Sequence, residues 1–327
     1  MRLGLVLGAG GVAGMNYHAG VLHALTEVGG LDPASADLVV GTSAGSVMGA
    51  LLRSGWTAND CWEFALGIHP DVITLEDDEV ERRARAVFAP RFTNPLDLAR
   101  RAVGSSYVIG RSLVRTPMPP VHPAVARELA KRFPGGLFST AEAESRFAEI
   151  LPAEWPSKPL WLVSVDIGSG RRVVLGRRGS PEVSLHDGVL ASCAIPGVYS
   201  PVRAGSLTLV DGGAHSTTNL DLAVRAGCEI VIGVAPMAYD PSSPPGSLVQ
   251  LERRRATRSL ATEARVARGK GTSVLLVRPT APELLIHGRR LMRPADGPAI
   301  ALAAFDAAAR LLDTPRSRDV LEQLDAA

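Results

Sequence analysis

Net charge is almost absent from this chain: 35 lysines and arginines face 33 acids, a formal balance of +2. That excludes bulk electrostatic attraction to nucleic acid. Cysteine is scarce too. Cys61, Cys193 and Cys228 are far apart and odd in number, which excludes a disulfide framework or a cysteine metal site and fits a reducing compartment. Buried thiols are expected at all three. Lysine is limited to Lys131, Lys158 and Lys270, a bias that fits GC-rich coding as well as any function. No run approaches the ~20 apolar residues of a membrane span. The few apolar residues between Arg2 and Gly8 are too short for a secretory leader. The expectation is a cytoplasmic chain with no metal and no cofactor. No internal repeat of fixed period is visible.

What is present begins with a hydrophobic share of 46% over 327 residues, enough for one large α/β domain or two small ones. The organising stretch is Leu38-Val39-Val40-Gly41-Thr42-Ser43-Ala44-Gly45-Ser46. A β-branched run reads as a buried strand, and Val47 to Leu52 reads as a buried helix. Between them stands Gly-x-Ser-x-Gly, with Ser43 at its centre. Strand, sharp turn, serine, helix is the context of a nucleophile elbow. Gly41 and Gly45 leave room for close approach and for a residue at φ > 0 between them. The alternative is a Gly/Ser-rich connection without chemistry.

The first strand, Leu3 to Leu7, runs into Gly8-Ala9-Gly10-Gly11-Val12-Ala13-Gly14, and a helix is expected over residues 15–28. Strand, glycine loop and helix make an anion cradle. Gly8, Gly10 and Ala13 satisfy the looser dinucleotide fingerprint, but the second strand ends in Gly-Thr-Ser without the carboxylate that would hold a ribose. The competing reading is an oxyanion hole, with the N–H groups of Gly10 and Gly11 aimed at an acyl intermediate. Adjacent parallel strands would set this loop beside Ser43 at the carboxyl edge of a sheet.

Residues 70–136 are punctuated by prolines and carry scattered apolar residues, and residues 71–85 are charge-dense. This segment is expected to be an inserted cap or lid with short helices, within a single domain spanning 1–327. A strand follows at residues 160–165. Asp166 reads as a turn residue before a hairpin strand, and Asp187 as a helix-start acid. Leu207 to Val210 is a strand closed by Asp211-Gly212-Gly213. The two glycines uncover the Asp211 carboxylate at an open sheet end, although Asp-Gly is also a strong turn signal.

A serine nucleophile needs a base. The order Ser43, Asp211, His287 matches that of the α/β-hydrolases, but only one strand precedes the strand carrying Ser43 here. His287, His18 and His23 read as structural histidines. A Ser43–Asp211 dyad, with the carboxylate accepting the hydroxyl proton, is the simpler proposal.

The glycine loop on the first strand, Gly-Thr-Ser-Ala-Gly on the second and the late Asp-Gly-Gly together resemble the patatin-like phospholipase family. Gly20-Val21-Leu22, the stretch Ala191-Ser192-Cys193-Ala194-Ile195-Pro196-Gly197 and Asn219 support the likeness, which covers roughly residues 1–60 and 160–236. It implies a three-layer α/β/α sandwich with a central mixed, mainly parallel sheet. It also implies a Ser–Asp dyad, an oxyanion hole from the glycine loop, and hydrolysis of acyl esters in phospholipids or other lipids. Gly8, Gly14, Gly41, Gly45, Gly212 and Gly213 belong to the shared motifs. The chain departs from the pattern at Ala13, where the family carries a basic residue, and at Ala9, where it carries glycine. One extra residue separates Gly14 from Gly20.

The tail holds Glu252-Arg253-Arg254-Arg255, then Arg258, Arg265, Arg268 and Lys270 on an expected helix. An exposed, solvated face is the plain reading, and peripheral contact with an anionic membrane surface is the functional one. The chain thus reads as a serine acyl hydrolase of lipids. The alternative class is a catalytically weak lipid- or acyl-binding regulatory protein.

Overall fold

A computed structural model describes residues 1–70, 95–113, 136, 141–244, 251–288, 291–292 and 297–325. The fold is of the three-layer α/β/α class, a mixed sheet flanked by helices. The chain divides into two compact units, one of Met1–Thr74, Pro156–Trp161 and Ser216–Ala327, the other of Leu75–Trp155 and Leu162–His215.

In the first unit, β1 (Leu3–Leu7), β2 (Leu38–Gly41), β7 (Ile230–Val234) and β8 (Ser273–Val277) stand in the order β2-β1-β7-β8, all parallel. Every residue of β1, β2 and β7 is buried, which is why they read as unbroken apolar runs. Helix α1 (Gly11–Glu27) follows β1 and α2 (Ala44–Arg53) follows β2. Helix α3 (Ala58–Leu66) opens with a capping box between Thr57 and Asp60. Helix α1 starts four residues earlier than its apolar periodicity predicts, because the end of the glycine loop forms its first turn.

In the second unit, β5 (Val202–Ala204), β6 (Leu207–Asp211), β3 (Leu160–Asp166) and β4 (Arg172–Leu175) are joined by antiparallel pairs. The first residues of β3 belong to the first unit. Helix α4 (Pro95–Leu113), α5 (Ala141–Ile150) and α6 (Leu185–Cys193) belong to the second unit. Of the expected cap, residues 71–94 and 114–135 lie outside the described residues, the charge-dense stretch included. Within the expected cap, residues 95–113 form one 19-residue helix, α4.

The first unit closes with α7 (Asp221–Arg225), α8 (Leu251–Gly269), α9 (Ala281–His287), α10 (Gly297–Leu312) and α11 (Pro315–Asp325). Among the described residues, no helix is long and apolar enough to cross a membrane. Cys61 and Cys228 are buried as expected, but Cys193 is only half-buried.

Candidate active site

Strands β1 and β2 pair in register, with Leu7 opposite Gly41, so the loops that leave them start at one level of the sheet. The first loop carries the glycines and the second carries Ser43. The amide of Thr42 donates to the Leu7 carbonyl at 3.0 Å. A Cβ on Gly45 would lie 2.0 Å from the same carbonyl oxygen, so only glycine lets α2 start this close to β1. At Gly41 a Cβ would lie 2.6 Å from the Gly45 carbonyl oxygen, inside the turn itself.

Ser43 sits at φ 53°, ψ −120°, just before α2. Among the described residues, only Ser43 and Asn219 are non-glycine residues with positive φ. Such a conformation costs on the order of 1–3 kcal/mol and persists where its surroundings enforce it. Here the Ser46 amide and Oγ both donate to the Ser43 carbonyl, at 2.7 and 2.6 Å. Ser43 itself is buried.

Four amides of the glycine segment are anchored. The Gly8 amide donates to the Val234 carbonyl at 2.9 Å, the Ala9 amide to the Thr217 carbonyl at 2.7 Å, and the Gly14 amide to the Gly10 carbonyl at 2.9 Å. The Ala13 amide donates to the Leu291 carbonyl at 2.8 Å. The amides of Gly10 and Gly11 have no acceptor among the described residues. Gly11 has φ +63°, and a Cβ on Gly14 would lie 3.4 Å from the Ala44 Cβ, which sets the loop beside the residue after Ser43. Ala13 is buried under this arrangement, and a long basic side chain there would have to be buried as well.

Three side chains brace this region, two of which, Arg253 and Glu263, were missed at the sequence level. His18, read as a packing residue, has Nε2 2.7 Å from the Gly8 carbonyl. Arg253, read as part of a solvated run, is buried and donates to the Pro236 carbonyl at 2.6 Å. Pro236 lies against Gly10 and Gly14. Glu263 accepts from Ser216 Oγ at 2.6 Å and from the Leu220 amide at 2.8 Å. Ser216 in turn takes the amide of Asn219, whose Nδ2 reaches Thr42 Oγ1. The helical phase of α8 could have revealed Arg253 and no other arginine. It lies on the face of Ala256, Leu260, Ala264 and Ala267, all buried.

In the second unit, Asp211 ends β6 opposite Ser164. Its amide donates to the Ala194 carbonyl at 2.9 Å, and its Oδ1 accepts from the Gly213 amide at 2.7 Å. Asp211 is buried. A Cβ on Gly212 would lie 2.4 Å from the Val163 carbonyl oxygen, so the chain can turn against β3 only with glycine there. The Asp-Gly-Gly segment forms a single 3-10 turn, not a hairpin. Asp166 is a turn residue as expected, its carboxylate taken by Gly168, Ser169 and Thr208. Asp187 lies in the first turn of α6, where Ser184 caps its amide.

The histidines expected to be structural are so placed. His287 stacks edge-on against Tyr17 with ring centroids 5.5 Å apart, and its buried Nε2 has no hydrogen-bond partner among the described residues. Burial, then the nearby Arg253 cation, pushes its pKa down to about 3, which makes it a poor base at neutral pH. His23 stacks on Trp62 at 4.7 Å.

The patatin-like phospholipase family model matches residues 5–224, from β1 through the glycine loop, the Ser43 turn and Asp211 to α7. The chain belongs to the patatin-like phospholipase family. This membership supports a lipid-hydrolase activity. Among solved structures, VipD from Legionella pneumophila is similar at 15% identity and TM-score 0.45, over 95% of this chain and 67% of that one. The type III effector ExoU is similar at 16% identity and TM-score 0.41, over 97% of this chain and 53% of that one. ExoU in its complex with SpcU, from Pseudomonas aeruginosa, matches at 18% identity and TM-score 0.34, over 96% and 52%. The chain thus spans about half the length of ExoU.

Proposed function

We propose that this patatin-like chain is a serine acyl hydrolase that cleaves carboxylic esters of lipids, of the phospholipase A, lysophospholipase or lipid esterase type. The observation that carries the reading is Ser43 held at φ 53° beside a glycine loop whose Gly10 and Gly11 amides have no acceptor among the described residues. A nucleophile presented on a strained turn next to two uncommitted N–H groups is suited to acyl transfer.

In this reading the Ser43 hydroxyl attacks the ester carbonyl while the Asp211 carboxylate takes its proton. The Gly10 and Gly11 amides hold the oxyanion. As the intermediate collapses, the alcohol leaves with the proton from Asp211, and Ser43 is acylated. Water, deprotonated by Asp211, then attacks the acyl-enzyme and frees the fatty acid and the Ser43 hydroxyl. Each step conserves protons between Ser43, Asp211, alcohol and water, and none calls for a metal.

The exposed face of α8 carries Arg254, Arg255, Arg258 and Arg265. In the proposed setting it would meet an anionic membrane surface. A screen over p-nitrophenyl esters, lysophospholipids, phospholipids and acylglycerols tests the reading. Turnover of at least one acyl ester is expected. No turnover together with tight binding of an acyl ligand would favour the regulatory binding alternative.

A further inference from the structure

His18 is fully buried in α1, and its Nε2 lies 2.7 Å from the Gly8 carbonyl oxygen. Its Nδ1 is buried with no hydrogen-bond partner among the described residues. A carbonyl accepts but never donates, so the proton sits on Nε2 and Nδ1 keeps its lone pair. Burial lowers the pKa of the ring to about 4, so it is neutral at pH 7.

The consequence lies in the order of peptide planes along the loop. The Gly8–Ala9 plane is fixed at both ends, its carbonyl by His18 and its amide by the Thr217 carbonyl at 2.7 Å. The Gly10–Gly11 plane is fixed through its carbonyl, which accepts from the Gly14 amide at 2.9 Å. Between them lies the Ala9–Gly10 plane, which carries the Gly10 N–H. Glycine at position 10 leaves its own backbone little intrinsic restraint. The direction of that N–H is therefore set by the two anchored neighbours.

We infer that His18, as the Nε2–H tautomer, is the positioning residue that aims the Gly10 amide at the acyl oxyanion. This rests on the acyl-transfer reading of Ser43 and goes beyond it by assigning the aim of one donor to a side chain in α1. A purely structural role would cost stability only, since it would leave the buried Gly8 carbonyl without its donor. A positioning role costs kcat with little change in KM, because the donor works on charge that exists only in the transition state.

The test compares wild type, His18→Leu and His18→Gln. Kinetics are measured on p-nitrophenyl butyrate, with inhibition by an aliphatic trifluoromethyl ketone, which forms an oxyanion-bearing adduct with serine. Removing one oxyanion donor costs roughly 10²–10³-fold, so a misdirected donor in His18→Leu should lower kcat by about 10- to 100-fold. KM should change by no more than about twofold, and ketone affinity should fall in parallel with kcat. Glutamine carries an N–H the same number of bonds from Cα, so His18→Gln should recover kcat to within about fivefold of wild type. Folded His18→Leu with wild-type kcat, or with a loss confined to KM, would overturn the assignment. If His18→Leu fails to fold, folded His18→Gln decides alone: near-normal kcat and ketone affinity support the assignment, and a 100-fold loss refutes it. A wild type that turns over no ester and takes no ketone instead overturns the underlying acyl-transfer reading, which separates the two failures.

Discussion

Asn219 Nδ2 donates to Thr42 Oγ1 at 3.1 Å, joining residues 177 positions apart in the chain. The same Nδ2 donates to the Ser216 carbonyl at 2.6 Å. Asn219 is completely buried and sits at φ 56°, a conformation that asparagine tolerates better than most residues. The turn that carries Ser43 is thus tied to the loop before α7 by a side chain whose own backbone is unusual.

Asn219→Ala removes the tie and leaves at positive φ a residue that tolerates it less well than asparagine, whereas Asn219→Gly removes the tie and relieves the strain. Losing a buried hydrogen-bonded partner costs about 1–3 kcal/mol, and the left-handed conformation adds about 1–2 kcal/mol for alanine. Urea unfolding should therefore rank wild type, then Asn219→Gly, then Asn219→Ala. Both variants should react more slowly with a fluorophosphonate at Ser43. Alanine as stable as glycine at this position would mean that φ carries no cost there.

How far the sequence discloses this arrangement depends on the kind of signal. Strand β1, strand β7 and the Ser43 elbow are legible because short apolar runs and glycine spacing are local signals. The start of α1 is not, since Gly11 and Gly14 lower helix propensity and read as loop. Their place in the helix is settled by close approach to Leu291, Met292 and Ala44, contacts distant in sequence. His18 looks like any histidine on an apolar face, because nothing local shows that its ring turns back to the strand end. The Asp-Gly-Gly segment is legible as a turn but not in its form, since the close neighbour that requires Gly212 is the Val163 backbone.

Gly11→Ala tests the second proposed donor. Its Cβ would lie 2.8 Å from the Met292 Sδ and 3.1 Å from the Leu291 carbonyl oxygen, at φ +63°. The thioether can swing away, so the variant should fold with a loss of about 1–2 kcal/mol. Displacing the donor should cost roughly 10²–10³-fold in kcat with KM little changed. Full activity would rule out the Gly11 amide as an oxyanion donor.

His287→Gln separates the histidine from the base and from acid stability. Burial holds the His18 and His287 pKa values at about 4 and about 3, below the 6.5 of a free ring. The unfolded chain therefore binds more protons below pH 6.5, and stability falls as pH drops from there toward 4. Glu263 and Glu283, pushed up by desolvation, act in the opposite sense as pH approaches 4.5. His287→Gln should flatten the loss below about pH 6 by up to about 1.4 kcal/mol per pH unit, read from urea midpoints. Most ester hydrolysis should survive, whereas Asp211→Asn should cost on the order of 10²-fold or more in kcat. Loss of turnover in His287→Gln with retention in Asp211→Asn would restore a histidine base.

The cysteines give a check on packing. Desolvation pushes the Cys61 thiol up to about 12 and the Cys228 thiol up to about 11. Since the thiolate is the reactive form, a disulfide reagent should modify both slowly in the native state and fast in urea. Rapid native modification of either would contradict their burial.

The central claim is that Ser43 is the acylated nucleophile, and labelling tests it most directly. Wild type and Ser43→Ala are incubated with a fluorophosphonate, and intact mass and peptide mass are read alongside ester hydrolysis. One adduct is expected on wild type, mapped to Ser43, and neither adduct nor turnover in Ser43→Ala. An adduct on another residue, or undiminished hydrolysis by Ser43→Ala, would contradict it.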